Sequence, residues 1–247
     1  MPDPVESRDP GRVRAMFGGI ARRYDLLNHV LSLNLDRGWR ARAAREACVE
    51  PVERVLDLCG GTGDLTLALA RAADSPSVVV CCDFSRPMLA RAAAKFRSRG
   101  VADRCVTIEG DALRLPFADG TFGAITVGFG IRNLADMGAG LREALRVLAP
   151  GGRLVVLEFS RPRGPVLSRL HGLYLERVVP LLGDGAAGRT GPYRYLARTI
   201  GSFPEPDVLA GTIREAGFAA VGWQALSGGI VCLHTAFKEP SPRSPGP

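Results

Sequence analysis

The sequence predicts an α/β protein built on a doubly wound, mostly parallel sheet of seven strands. Three observations predict it. Short apolar runs alternate with helix-length amphipathic stretches, the pattern of repeated βα units whose helices cover both faces of a sheet. The first of these runs passes straight into a glycine loop, Val55-Leu56-Asp57-Leu58-Cys59-Gly60-Gly61-Thr62-Gly63-Asp64, which reads as strand, tight turn, helix. The last two apolar runs lie close enough to pair as a hairpin.

Taken in order, residues 1–50 form a helical cap. Val13, Met16, Phe17, Ile20, Tyr24 and Leu27 recur at helix spacing, and a second helix covers Leu35 to Ala47, ending before Pro51. The core comprises residues 51–160 and 205–238. After the glycine loop come a strand at 77–83 (SVVVCCD), a helix from Ser85 to Arg99, and a strand at 104–110 (RCVTIEG). A strand at 122–129 (FGAITVGF) is followed by a helix ending at Ala149-Pro150-Gly151-Gly152 and a strand at 153–160 (RLVVLEFS). Continuous apolar strands of this kind suit burial on both faces.

Residues 161–204 break the rhythm and read as a helical lid insertion. Leu167, Leu170, Leu173, Tyr174, Val178 and Leu181 make an apolar stripe, with Arg161, Arg163, Arg169 and Arg177 on a basic side and the loop GDGAAGRTGP between two helices. A helix over Asp207 to Ala216 leads to VGWQAL and GGIVCLHTAF, which form a hairpin through Ser227-Gly228-Gly229. Residues 239–247, rich in Pro and Ser, are expected to be a disordered tail.

With 247 residues and 46% apolar composition, the chain can bury one large core, and disorder is not the default. Its net charge of +7 permits an anionic partner, but only Lys95 and Lys238 are lysines, so the arginine excess is weak evidence of function. The six cysteines show no C-x-x-C pairing and mostly fall in apolar runs, as buried small hydrophobes do. No signal-peptide core and no membrane-length apolar run is visible, and the chain reads as a soluble protein of the reducing cytoplasm.

Charge decides what the glycine loop holds. A dinucleotide loop offers its amides to a pyrophosphate, which a carboxylate at the strand end would repel. Here Asp57 and Asp64 bracket the glycines. A cationic ligand fits better, and S-adenosylmethionine carries a sulfonium and an ammonium. No G-x-x-x-x-G-K-[ST] is present, so a P-loop is out. The following strand ends extend the set: Asp83 for a ribose diol, Asp111 with Ala112 for an adenine amino group, and Gly128-Phe129-Gly130-Ile131-Arg132-Asn133 beyond strand four. Asp83 and Asp111 taken singly are also ordinary helix caps.

The chain resembles the ubiquinone and menaquinone biosynthesis C-methyltransferase family over nearly its full length. The resemblance is carried by MFGGIARRYDLLNHVLSLNLDRGWR, VLDLCGGTGD, DFSRPML, LPFADGTF, FGIRN, LREALRVLAPGGRLVVLEFS, YRYLARTIGSFP and GGIVCLHTAFK. It implies a class I S-adenosylmethionine-dependent methyltransferase fold, with Thr62, Asp83, Asp111, Ala112 and position 128 contacting the methyl donor. Asp57, Gly61 and Gly63 complete the expected donor set. Cys59, Gly123, Gly128, Ala149 and Pro192 depart from the family's usual residues. The loss of a serine at 128 leaves only backbone there.

The reaction implied is methyl transfer to a ring carbon of a prenylated quinol. Demethylmenaquinol is the leading acceptor, and the benzoquinol of ubiquinone synthesis is the near alternative. Arg132, Asn133 and Tyr24 are the catalytic candidates. An arginine does not give up its proton near neutral pH, so Arg132 stabilises a phenolate or orients a water. A loop ion pair is the structural alternative for Arg132, and a helix cap for Asn133. Tyr24 and Asn28 share a helical face suited to closing the site.

His29, His171 and His234 lie far apart with no ligand spacing, so no metal is expected. An NAD-dependent oxidoreductase is disfavoured by the acids. A nucleic-acid partner is not expected, since GFGIRN stands where base-amine methyltransferases show [DN]-P-P-[FY] and no aromatic-rich basic patch is present. The basic lid suggests peripheral docking at the inner face of the cytoplasmic membrane. A homodimer is compatible with the sequence.

Overall fold

The structure, a computed structural model, describes residues 9–21, 24–50, 52–72, 76–162, 164–179 and 192–240. Seven strands form one sheet in the order β3-β2-β1-β4-β5-β7-β6. They are β1 (Arg54–Leu58), β2 (Val78–Asp83), β3 (Cys105–Glu109), β4 (Phe122–Gly128), β5 (Leu148–Phe159), β6 (Ala219–Leu226) and β7 (Val231–Phe237). The first five run parallel, whereas β7 is antiparallel to both β5 and β6. The seven-stranded, mostly parallel reading holds, including the hairpin at Ser227–Gly229.

Alternation along each strand builds two cores. Val55 and Ala124 face the layer of α3 (Leu35–Ala47), α4 (Asp64–Leu69) and α5 (Arg86–Ser98), where Trp39, Leu69 and Phe96 are buried. Leu56 and Ile125, one residue on, face α6 (Met137–Val147) and α9 (Pro206–Glu215), where Leu141, Leu209 and Ile213 are buried. Period-two burial puts successive side chains on opposite faces. Each fully buried leucine contributes about 2 kcal/mol of transfer free energy.

Two boundaries differ from the expected ones. The N-terminal stripe is divided between α1 (Pro10–Ile20) and α2 (Tyr24–Leu31). Gly18 and Gly19 weaken the last turn of α1, and a Cβ on Gly18 would lie 3.3 Å from Pro87, so the missing side chain lets α1 rest on the start of α5. The helix expected to reach Gly152 stops at Val147, and Leu148–Gly152 already belongs to β5. Lys238 Nζ donates to the carbonyls of Leu145 and Leu148, ending α6, while Gly151 and Gly152 pair with the Lys238 backbone.

The order of strands reverses between β1 and β4: the chain leaves β1 for β2 and β3 on one side, then returns to β4 on the other. Ligands of doubly wound sheets bind outside the carboxyl ends of strands at such a point. Above it lie α2, α7 (Pro165–Leu173) with the π-helical turn Tyr174–Val178, and α8 (Pro192–Gly201). Leu27 and Val179 are buried together, and Tyr174 OH donates to the Leu31 carbonyl at 2.6 Å, which joins α2 to α7's continuation. The loop at 183–191, Arg163, Leu181 and residues 241–247 lie outside the described residues.

Candidate active site

The glycine loop leaves β1 with Cys59 at φ +56° and re-enters the helix at Gly63, φ +81°. A Cβ on Gly63 would sit 2.6 Å from the Phe96 ring, so the turn needs glycine both for its dihedral and for its packing. Gly128, at the end of β4, has no room either: Leu65 Cδ2 would be 2.9 Å from a Cβ there. Leucine on α4 thus fills the space a serine would use.

The strand-end acids divide into two kinds. Asp57 is fully buried, and its carboxylate accepts the hydroxyls of Thr66 at 2.6 Å and Thr126 at 3.1 Å. Burial pushes its pKa up to about 6 against those hydrogen bonds. Asp83 accepts the N–H of Gly61 at 2.9 Å and of Ser85 at 2.8 Å, which ties the glycine loop to the end of β2; burial raises its pKa to about 6 as well. Asp111 is exposed and accepts the N–H of Leu113, and Ala112 beside it is buried. Both acids therefore make the capping contacts that single residues of this kind make, while also lining a cavity.

Asp57 has a consequence for stability. An acid whose folded pKa lies above its ordinary value of 3.8 binds its proton more tightly in the native state, so its stabilising effect is lost as pH rises towards 6. The expected result is that Asp57→Asn raises apo stability by up to about 3 kcal/mol at neutral pH relative to wild type. Denaturant titrations should show this gain absent at pH about 3, accruing as pH rises and complete above about 6.

Asp64 is not the free charge that its place beside the glycines suggested. Lys95 Nζ lies 2.5 Å from Asp64 and 2.8 Å from Asp25, and Thr62 Oγ1 donates to Asp25. The cap is thereby fastened to the glycine loop and to α5. His29 is also less isolated than its spacing implied. It lies 2.8 Å from Asp36 and 3.7 Å from Asp64, and the three donors fall within 4.8 Å of one another. Arg40 on Asp36 and Lys95 on Asp64 already supply the cations, so the cluster reads as an ion-pair network rather than a metal centre.

Two cavities meet over the switch point. One, of about 90 Å³, is lined by Asp83, Met88, Asp111, Ala112, Asn133 and Leu134. The other, of about 330 Å³, is largely apolar and is lined by Trp39, Phe129, Phe159, Leu170, Tyr174 and Ile200, with Asp57, Thr62 and Arg132 on its floor. Phe17, Tyr24, Cys59, Gly61, Gly128 and Phe129 line both. Gly63 is the one expected donor residue that lines neither, since its role is the turn. Phe129 and Phe159 stack with ring centroids 4.6 Å apart, and Trp39 packs against both.

Arg132, on the short helical turn Ile131–Asn133, is 3% exposed. Its Nη1 donates to the Phe129 carbonyl at 2.7 Å and to Glu158 at 2.5 Å. The ion-pair alternative is therefore present, and it coexists with a place on the cavity wall. Glu158, at the end of β5, escaped the sequence reading, although LEFS carried it; nothing local marks a carboxylate in an apolar strand as the partner of an arginine 26 residues earlier. Burial raises the Tyr24 phenol pKa, while Arg132, Arg40 and a hydrogen bond with Asn28 pull it down, so Tyr24 and Asn28 do share a face. Asn133 accepts the Tyr195 hydroxyl at 3.1 Å, linking the turn to α8.

This arrangement sits in a chain with many relatives. Residues 5–238 match the model of the ubiE/COQ5 methyltransferase family. The demethylmenaquinone methyltransferase of Mycolicibacterium vanbaalenii is 47% identical over 232 residues, covering 94% of this chain and 96% of that one. That of Thermus thermophilus is 46% identical, covering 89% and 98%. Among solved structures, the [4+2]-cyclase SpnF superposes with a TM-score of 0.63 at 22% identity over 85% of this chain and 82% of its own. A SAM-dependent methyltransferase of Thermotoga maritima gives 0.59 at 20% identity, over 91% and 100%. These structures share the class I methyltransferase fold, and a cyclase among them shows that the fold alone does not fix the chemistry. The near full-length family match does that further work: the chain belongs to the ubiE/COQ5 methyltransferase family.

Proposed function

We propose that the protein transfers a methyl group from S-adenosylmethionine to a ring carbon of demethylmenaquinol, giving menaquinol. The observation that carries this reading is the junction of two cavities at Cys59, Gly128 and Phe129, one edged by carboxylates and the other apolar, aromatic and floored by an arginine. The relatives named demethylmenaquinone methyltransferase support the choice of acceptor.

The residues fit the donor. Asp83 and Asp111 each retain lone pairs beyond the backbone bonds they accept, suiting a ribose and an adenine amino group. Gly61, Thr62 and the buried Asp57 surround the place for the cationic methionine end, with Gly63 holding the turn and Ala112 and the Gly128 backbone lying beside the ring and sulfur. When bound, the donor supplies an electrophilic methyl on sulfonium. Everything else falls to the chain. Trp39, Phe129 and Phe159, packed together, offer an aromatic wall for a flat ring, and the aliphatic side chains of Leu170 and Ile200 face the prenyl chain. Arg132 stabilises the phenolate that makes the ring carbon nucleophilic, Asn133 orients a ring oxygen, and Tyr24 closes the site from the cap.

Cap (1–50), core (51–160 and 205–238) and lid (161–204) divide this labour, with 239–247 outside it. The lid also suits collection of a lipid from a membrane. No described helix is long and apolar enough to cross one. Leu33 and Leu170, exposed by 78% and 59%, both line the larger cavity and so stand at its mouth. Arg169 and Arg177 are exposed nearby, whereas Arg161 is turned to the Gly201 carbonyl and Glu205. The expected result is that Leu170→Glu with Arg169→Gln and Arg177→Gln weakens binding to anionic phospholipid vesicles about tenfold or more; unchanged vesicle binding contradicts docking through this face.

Calorimetry tests the donor. S-adenosylhomocysteine should bind stoichiometrically and NAD should not, and tight NAD binding would overturn the proposal.

A further inference from the structure

We infer that Glu158 takes up the proton released when the bound quinol ionises, so that Arg132 exchanges one anionic partner for another within the buried site. The inference rests on the quinol methyltransfer reading above. Glu158 is 1% exposed; its Oε1 accepts Arg132 Nη1 at 2.5 Å and the Phe159 N–H at 2.9 Å. Its other oxygen, Oε2, is buried without a protein partner, as is Nε of Arg132. Asp57 and Asp83 are also buried carboxylates, yet each has both oxygens bonded to protein. Among the described residues, Glu158 alone is a buried carboxylate with an oxygen left over. A pair kept only to hold the loop would satisfy both oxygens, because an orphaned one costs free energy.

The charges facing Glu158 come from every element around it. Arg132 follows β4; Cys59 approaches from the glycine loop; Cys232 is its cross-strand neighbour on β7; and Tyr24, on the cap, lies near both Arg132 and Arg40. Burial pushes the Cys59 thiol well up and raises the Tyr24 phenol, so neither competes for the proton as a base near neutral pH. Burial also raises the Glu158 carboxyl while Arg132 holds it down, which makes its proton affinity depend on whether Arg132 is shared.

The balance is simple. Before ionisation the site holds Arg132⁺, Glu158⁻ and a neutral quinol. The quinol O–H bond breaks, one water passes the proton on, and an O–H bond forms at Glu158. The site then holds Arg132⁺, a phenolate and a neutral acid, with no change in net charge. Arg132 stays protonated throughout. After methyl transfer the ring C–H proton leaves to solvent and Glu158 returns its proton to the ring oxygen, so one proton is released per turnover.

The test uses the full chain with Glu158→Gln, which keeps a hydrogen-bond acceptor for Arg132 but cannot take the proton at that group. Expected are a kcat lowered by about 100-fold or more, a Kd for S-adenosylhomocysteine within about threefold of wild type, and loss of the acid limb that wild-type kcat shows as Glu158 protonates. A second measurement needs only wild type: infrared difference spectra on adding demethylmenaquinol should show a new protonated-carboxyl band. Turnover of Glu158→Gln within threefold of wild type, an acid limb of kcat that persists unchanged in Glu158→Gln, or no such band each overturns the inference. Wild type that binds S-adenosylhomocysteine but methylates no prenylated quinol overturns the underlying reading instead.

Discussion

Replacing Arg132 by methionine is expected to lower kcat by about 10²–10³-fold while leaving the Kd for S-adenosylhomocysteine within a few-fold of wild type. The size follows from removing one preorganised positive group from a developing phenolate in a dry site. Affinity for the donor should persist because Arg132 lines only the larger cavity, away from Asp83 and Asp111. The same change strands Glu158 in the interior, at a cost of about 3–5 kcal/mol. Thermal unfolding must therefore be followed alongside turnover, since that is a large share of a typical domain's stability. Arg132→Lys separates the two effects. It keeps a charge for Glu158 and so spares stability, but it loses the planar guanidinium whose Nη1 meets Phe129 and Glu158 and whose remaining N–H groups are proposed to meet the ring oxygen. Its kcat should still fall by about tenfold or more. Equal losses of turnover and donor affinity in either variant would place Arg132 in donor binding or folding.

Asp83→Ala is expected to weaken S-adenosylhomocysteine binding by at least about 100-fold. Two losses combine. The N–H groups of Gly61 and Ser85 lose their acceptor, at about 1–3 kcal/mol for each one left unsatisfied, and the glycine loop is released from the end of β2. The ribose diol loses its acceptor as well. Asp83→Asn retains one acceptor oxygen and should bind more tightly than Asp83→Ala. Calorimetry with both variants checks the order; donor affinity unchanged in Asp83→Ala would leave the acid a cap alone.

The sheet was legible because its signal is local. β2 needs only Val78 to Asp83 to declare an apolar strand ended by an acid, and α5 needs only Ser85 and Arg99 to mark its ends. Where a strand end supplies the residue, as at Asp83, Asp111 and Gly128, its place on the cavity wall was legible. What escaped was pairing across the chain. Asp64 looked like free negative charge because Lys95 stands 31 residues away, and nothing local marked the bond that Thr62 gives Asp25, 37 residues before it. Glu158 was hidden in an apolar strand for the same reason. Such partners are set by how α2, α5 and β5 converge over the switch point, and no period in the sequence encodes that convergence.

The cap network bears on dynamics as well. Thr62 gives its hydroxyl to Asp25, and Phe17 and Tyr24 line both cavities from the cap, so the N-terminal helices share in forming both cavities. On the proposed reading the loop holds the donor, and the groups above β4 and β5 face the acceptor.

Purified protein incubated with S-adenosylmethionine labelled in its methyl group and reduced demethylmenaquinone in vesicles should put the label on the naphthoquinol ring carbon, stoichiometric with S-adenosylhomocysteine. Label appearing on the benzoquinol precursor but not on demethylmenaquinol, or no transfer to either by protein that binds S-adenosylhomocysteine, would contradict the proposed function.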